Sequence, residues 1–385
     1  MLKQMIKNEL EKEKVLAIKL ISITGLKSKS SLYKFLNEPD REMDHFEGLL
    51  KMVRYLFPKQ EFEIMDAYFR NVNPNGKTAR ISLEYATINR LNDLKVFMLG
   101  KLKMCSNAES KEWAKTYEID QQVMDGQISP TEANILLNDL KLKTIEMKVI
   151  AKVFMIYNYY DLKMLDRCQQ VASLIEDGLS QLKKYPYLKK SLVCRIGLIN
   201  MHIGNREEGI LSGEMVINNA VSQLTEATAN QVLGILSIIE SYEVAYNYLS
   251  KALNIYNELQ SLKIRGTQRT INFLQNYWKR EPEYLDFKSK EIDDRHEIAF
   301  YYIQKQQFVK AKDILHEIEC EIDEMPHIIK GFHYFYRGLI SGRREDFFES
   351  VIQFKYANQK MYYHFPLLEL KKLGEDELTL KVLEI

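Results

Sequence analysis

Five lysines (Lys14, Lys19, Lys27, Lys29 and Lys34) fall between residues 14 and 37 without one acid among them. The chain of 385 residues is otherwise balanced, with 54 Lys and Arg against 53 Asp and Glu. Such a gap makes a local basic patch on a near-neutral molecule. Lysine ammonium groups beside a helix start suit phosphate oxygens, because the first N–H groups of a helix also point at anions. The central stretch, TGLKSKSSLYKFLNEP, adds small hydroxyl side chains and a tyrosine that fit base edges or phosphates. The chemistry indicated is nucleic-acid contact by Lys27, Ser28, Lys29, Ser30, Ser31, Tyr33 and Lys34. From these residues alone, a solvated corner between two helices remains the alternative. The turn LKSKSS is longer than a tight helix-turn-helix turn, and no Arg, Gln or Asn opens the second helix.

Other polar groups lie among aromatic and aliphatic neighbours. Asn200, in LINMHIG, sits mid-helix, where asparagine needs a reason. Facing a groove, it can clamp a peptide backbone by donating and accepting; a satisfied core asparagine is the equal reading. Asn276, in NFLQNYW, poses the same pair of readings. His296 and His333, in DDRHEIAF and GFHYFYRG, lack HExxH or other ligand spacing. Structural or peptide-contact roles are expected of them, not metal binding. No Walker loop, GxGxxG, GxSxG or paired catalytic carboxylates occur, so no catalytic residue, metal or cofactor is expected. Cys105, Cys168, Cys194 and Cys320 are far apart and read as free buried thiols in a reducing compartment.

These residues need elements to hold them. Only 16 glycines and 8 prolines leave little room for turns and favour long helices. NELEKEKVLAIKLISIT has helical apolar spacing and stops at Gly25. SSLYKFLN restarts with Ser30 or Ser31 as cap, and Pro39 breaks it. HFEGLLKMVRYLF is a further amphipathic helix. NVNPNGKT, residues 71–78, is the best linker candidate. Beyond it, helix pairs repeat. Ala299, Tyr302, Phe308, Ala311 and Leu315 have tetratricopeptide spacing, and Tyr242, Ala245, Leu249 and Ala252 repeat its second half. The expected fold is all-α: a helix-turn-helix domain at 1–60, a linker region at 61–78, and a superhelical array of degenerate TPR-like helix pairs at 79–385. Such an array offers a concave face to an extended peptide. No apolar run is long enough for a membrane span, and no signal-peptide pattern opens the chain.

This organisation resembles the peptide-pheromone receptors of Gram-positive bacteria and their phages, and specifically the arbitrium receptors of temperate Bacillus phages. TGLKSKSSLYKFLN, KTARISLEYA, CSNAESKEWAKTY, FLQNYW, GFHYF, GLI and FPLLELKKLGE carry the likeness, in order, from residue 24 to 374. The resemblance implies a homodimer, through contacts that include the C-terminal repeat, working in the host bacterial cytoplasm. It implies binding to double-stranded operator DNA, and activation of a regulator that favours lysis. A secreted, re-imported signalling hexapeptide would bind the repeat groove, switch activation off and favour lysogeny. By the same likeness, DNA contacts fall on Lys27, Ser28, Lys29, Ser30, Ser31 and Tyr33, and peptide contacts on Asn200, Glu297 and Gln359. Glu297 would pair a peptide arginine. Gln359, in FKYANQ, stands where the family pattern has a carboxylate, and the family's Arg and Asn are not in register around ANQVLG. The linker near NVNPNGKT is expected to let two DNA-reading heads adjust their separation. The alternative is a peptide-regulated phosphatase or sequestering protein of the same superfamily, whose N-terminal helices bind a response regulator. The acid-free basic patch argues against it.

Overall fold

The computed structural model describes residues 2–13, 15–43 and 45–384, so Lys14 lies outside it. Helices follow one another throughout, and no strand forms among the described residues. The chain divides into two compact units, Met1–Leu192 and Val193–Ile385.

The first unit opens with α1 (Leu2–Lys12), α2 (Leu16–Thr24), α3 (Lys29–Asn37) and α4 (Phe46–Leu56). α1 packs on α3, and α2 on both α3 and α4. Leu20, Leu32, Phe35 and Val53 are buried in this small core. Gly25 ends α2 as expected: its φ is +70°, and its N–H reaches the Ile21 carbonyl at 3.0 Å. Gly48 answers a different need. A Cβ there would stand 2.8 Å from the Thr24 carbonyl oxygen, so α4 crosses α2 this closely only with glycine. The cap of α3 differs from expectation. Ser28, not Ser30 or Ser31, is the N-cap; its Oγ accepts from the Ser31 N–H at 3.3 Å. The turn is therefore Gly25 to Ser28, shorter than LKSKSS suggests.

Next come α5 (Glu61–Arg70) and α6 (Lys77–Ile88). The Arg54 guanidinium on α4 donates two hydrogen bonds to buried Glu61, at 2.7 and 3.1 Å, and the Tyr85 hydroxyl on α6 donates to the same carboxylate at 2.9 Å. Phe46 packs edge-on to Tyr187 at 4.8 Å and lies 5.6 Å from the ring of Phe69. The stretch 71–78 is a pinned corner. The Asn75 side-chain oxygen accepts from the Asn107 N–H at 2.9 Å and the Ser106 hydroxyl at 3.2 Å. The Pro74 carbonyl accepts from the Ser110 hydroxyl at 2.9 Å, and the Asn75 carbonyl from Arg80 at 3.1 Å. Further helices, including Ala108–Met124 and Ile145–Asp161, close on Trp113, Tyr117 and Phe154.

In the second unit the helices Arg206–Asn219, Gln223–Ser237, Tyr242–Glu258, Ile264–Tyr277, Ile292–Gln304, Phe308–Glu319, His327–Ser341 and Arg344–Tyr356 each pack on the next. The small residues of the repeat pattern are where the physics needs them. Ala245, Ala252, Ala299 and Ala311 are fully buried. A Cβ on Gly331 would meet the Phe354 ring at 2.4 Å, and one on Gly234 the Leu249 side chain at 2.6 Å. Phe308 departs from the pattern: as the first residue of its helix it is 44% exposed. Cys105, Cys168 and Cys194 are buried free thiols, whereas Cys320 is exposed. No helix among the described residues is long and apolar enough to cross a membrane.

Candidate DNA-reading helix and peptide pocket

α3 turns Leu32, Phe35 and Leu36 inward, which leaves Lys29, Ser30, Tyr33 and Lys34 facing out. Lys27 and Ser28 are exposed on the turn before it. Ser28 and half-buried Ser31 are spent on capping, and their hydroxyls also meet at 3.2 Å. Among the described residues, the side chains of Lys27, Lys29, Ser30, Tyr33 and Lys34 have no hydrogen bond or ion pair. The helix start thus presents cations and unsatisfied N–H groups to solvent, a combination made for phosphate. Asn37 is exposed one turn beyond Tyr33 and Lys34 on the same face. Sequence reasoning missed it, although its spacing of four from Tyr33 marked it. Lys19 is directed elsewhere, its ammonium 4.6 Å from the centre of the Tyr55 ring.

The second unit holds a cavity of about 150 Å³, lined among others by Arg269, Phe273, Asp293, His296, Glu297 and Tyr362. Helix Ile264–Tyr277 supplies Arg269 and Phe273, helix Ile292–Gln304 the three ionisable groups, and the short turn Lys360–Tyr362 the tyrosine. Glu297 is buried and held by neutral donors. The Tyr336 hydroxyl donates to its Oε1 at 2.8 Å, and the Asn276 amide approaches its Oε2 at 3.4 Å and its carbonyl at 3.2 Å. The cations nearby are already taken. Arg269 donates to Asp294 and Asp293, both at 2.7 Å, and to Glu291. Burial without a cation pushes Glu297 up to about 8, with Asp293 and Asp294 adding to the rise. His296 and His333 share a hydrogen bond of 3.1 Å, and burial lowers them to about 3 and about 4. The Asn276 Oδ1 and the His333 Nε2 are buried without a hydrogen-bond partner among the described residues. The arrangement is a buried carboxyl, held by neutral donors beside a cavity, whose ionisation burial disfavours. An arriving cation would draw off its proton and pair with it.

The structure therefore joins Asn276 to Glu297 and His333 to His296, one residue before Glu297, with both Asn276 and His333 buried. Among the described residues, no hydrogen bond joins Asn200 or Gln359 to this group. Asn200 is half-buried on helix Pro186–Ile203, where its carbonyl accepts from the Gly204 N–H at 2.9 Å. Gln359 precedes the turn that delivers Tyr362. Arg269, Asp293, Tyr336 and Tyr362 were missed. The acids at 293 and 294 read as ordinary first-turn residues of a helix, and the tyrosines as packing.

A model of the AimR transcriptional regulator-like family matches residues 61–372. The chain is 30% identical to the AimR transcriptional regulator of Bacillus phage phi3T, over 99% of this chain and 100% of that protein. It is 28% identical to the AimR transcriptional regulator of Bacillus phage SPbeta, over 98% of this chain and 97% of that one. Among solved structures, SeMet-phAimR superposes with a TM-score of 0.86 at 29% identity over the whole of both chains. The structure titled phAimR-Ligand superposes with a TM-score of 0.68 at 28% identity, over 88% of this chain and 100% of that one. The fold, the exposed basic helix and these matches across the chain lead to one assignment: this chain belongs to the AimR transcriptional regulator-like family.

Proposed function

We propose that the chain is a peptide-gated, DNA-binding transcription regulator that sets a phage's choice between lysis and lysogeny in the host cytoplasm. Residues 1–60 form the DNA-binding head, 61–78 the connection, and 79–385 the peptide-binding and dimerisation part. The observation that carries the reading is the outward face of α3, basic and without internal partners, in a member of a transcriptional regulator family. Lys27, Lys29 and Lys34 contact phosphates, and Ser30 and Tyr33 lie nearest the bases. A short signalling peptide enters the Glu297 pocket, with a cationic side chain on Glu297. Asn200 and Gln359 contact the rest of it. A homodimer presents two heads to two half-sites. Leu378 and Val382, 73% and 58% exposed one turn apart on the terminal helix Glu377–Glu384, support its C-terminal seam. The peptide acts by binding better to the dimer shape whose heads do not fit the operator.

The test is a gel shift on the DNA flanking the gene, repeated with candidate hexapeptides from short secreted reading frames beside it. A sequence-specific shift that one peptide abolishes or reshapes is expected. No specific shift from folded protein would overturn the reading.

A further inference from the structure

Three backbone carbonyls converge on one ammonium just past the end of the DNA-reading helix. α3 ends at Asn37, and Glu38 follows in extended backbone. The chain then turns, with the Arg41 N–H donating to the Glu38 carbonyl at 3.3 Å. The carbonyl oxygens of Glu38, Pro39 and Arg41 accept from the Lys3 ammonium at 2.5, 2.8 and 2.8 Å. Lys3 belongs to α1, whose Leu2 and Ile6 are buried and which packs on α3. Its ammonium also stands 4.9 Å from the centre of the buried Phe35 ring on α3.

An ammonium has three N–H groups, and here each has a backbone acceptor. Lys3 therefore has none left for a phosphate, unlike the exposed Lys27, Lys29 and Lys34. What it holds is the exit of α3. The entry is fixed by the turn from Gly25 and by the Ser28 cap. The exit runs into residues 38–43, which form no helix, and Pro39 brings no N–H to anchor it. α3 is nine residues long, roughly 13 Å. A tilt of about 10° at one end moves the other by about 2 Å, far more than the roughly 0.5 Å spread of hydrogen-bond lengths. A contact that touches no DNA thus decides whether Ser30 and Tyr33 meet the bases.

We infer that Lys3 is a positioning residue for DNA reading: α1 clamps the exit of α3 through the three carbonyls. This role presupposes that α3 reads DNA, and it adds a residue outside the helix-turn-helix to that reading. Because Lys3 orients the helix and does not bind phosphate, its loss should cost specificity and leave the non-specific attraction of the lysine face intact.

The test compares the full-length protein with Lys3→Met and Lys3→Arg, on the operator that the wild type selects and on random-sequence DNA of equal length, from about 50 to about 200 mM salt. Methionine keeps an unbranched stem without the donors. Lys3→Met is expected to lower the ratio of operator to random-DNA affinity by at least roughly ten-fold, with the random-DNA affinity and the salt slopes unchanged. Lys3→Arg keeps the charge but offers only two hydrogens on each terminal nitrogen, and should lower the ratio by less. A merely stabilising residue would shift the thermal melt and leave the ratio of the folded protein unmoved. A ratio unmoved in each variant that folds would overturn the inference. So would a salt slope that falls by about one in Lys3→Met, which would make Lys3 a phosphate contact. Wild-type protein without any operator preference would sink the DNA reading itself, and the clamp with it; a wild type that discriminates beside variants that do so equally would sink the clamp alone.

Discussion

Replacing Glu297 by Gln should make the protein more stable, and increasingly so as the pH rises. The carboxyl is enclosed, meets only neutral donors, and is pushed from the usual 4.5 up to about 8. Unfolded, it loses its proton near its ordinary value; folded, it keeps the proton until near 8. Between those values the native state binds one proton more than the unfolded state, so stability falls as pH rises. The contribution is fully present below the unfolded value and is lost on the way up through the folded one. The slope is about 1.4 kcal/mol per pH unit, which sums to on the order of 5 kcal/mol across the window. Glutamine keeps the shape and an acceptor for the Tyr336 hydroxyl but has no proton to lose. His296 and His333 titrate in both proteins, so subtracting one unfolding curve from the other removes most of their effect. The assay is urea unfolding of both proteins at pH 5.5, 6.5 and 7.5. The stability difference should grow in favour of the Gln variant by about 1.4 kcal/mol per unit. A difference that stays flat across this range would refute the reasoning, because Glu297 would then titrate like a wet carboxyl. A side chain retained against stability is what a binding pocket requires, and the same variant should lose its response to the peptide in the gel shift.

Charge reversal at Lys27→Glu with Lys29→Glu should abolish operator binding while leaving the circular dichroism melt intact, since both side chains are exposed; retained specific binding would remove these lysines from the interface. Gly331→Ala forces a methyl group to within 2.4 Å of the buried Phe354 ring and should cost about 1–3 kcal/mol by urea unfolding. Glu61→Ala leaves the Tyr85 hydroxyl without its acceptor and takes two hydrogen bonds from the Arg54 guanidinium, and should cost about 2–3 kcal/mol, more than Tyr85→Phe at about 1 kcal/mol. Equal losses would mean that the bonds from Arg54 to Glu61 add nothing to stability. Leu378→Glu with Val382→Glu should shift the sedimenting species toward monomer without unfolding it, and an unchanged dimer would place the seam elsewhere.

Local rules carried much of the architecture. The stop at Gly25, the inward set Leu32, Phe35 and Leu36, and the buried alanines of the repeats follow from helical period and residue size. The choice of cap did not. Ser28, Ser30 and Ser31 are chemically equal, and the structure selects Ser28, the one in extended backbone. Residues 71–78 read as a loose linker because Asn, Pro and Gly are loop formers. The partners that pin them, Ser106, Asn107 and Ser110, lie about thirty residues on, beyond any local pattern. The pocket was half legible for the same reason. Asn276 stood out by type and Glu297 only through the family likeness, but the bond from Tyr336 spans 39 positions, and nothing near Glu297 announces that it is enclosed.

The pinned corner also bears on how this family can be recombined. A chimera that exchanges DNA-reading heads by cutting after residue 60 would part Arg54 from Glu61 and Tyr85, and Phe46 from Phe69 and Tyr187. The transplanted head would arrive without its socket. A graft that carries α5, the corner and α6 with the head keeps most of these contacts, but must still match Tyr187 and the Asn107 turn from the recipient. Specificity for DNA is therefore exchanged with a longer cassette than the helix-turn-helix itself.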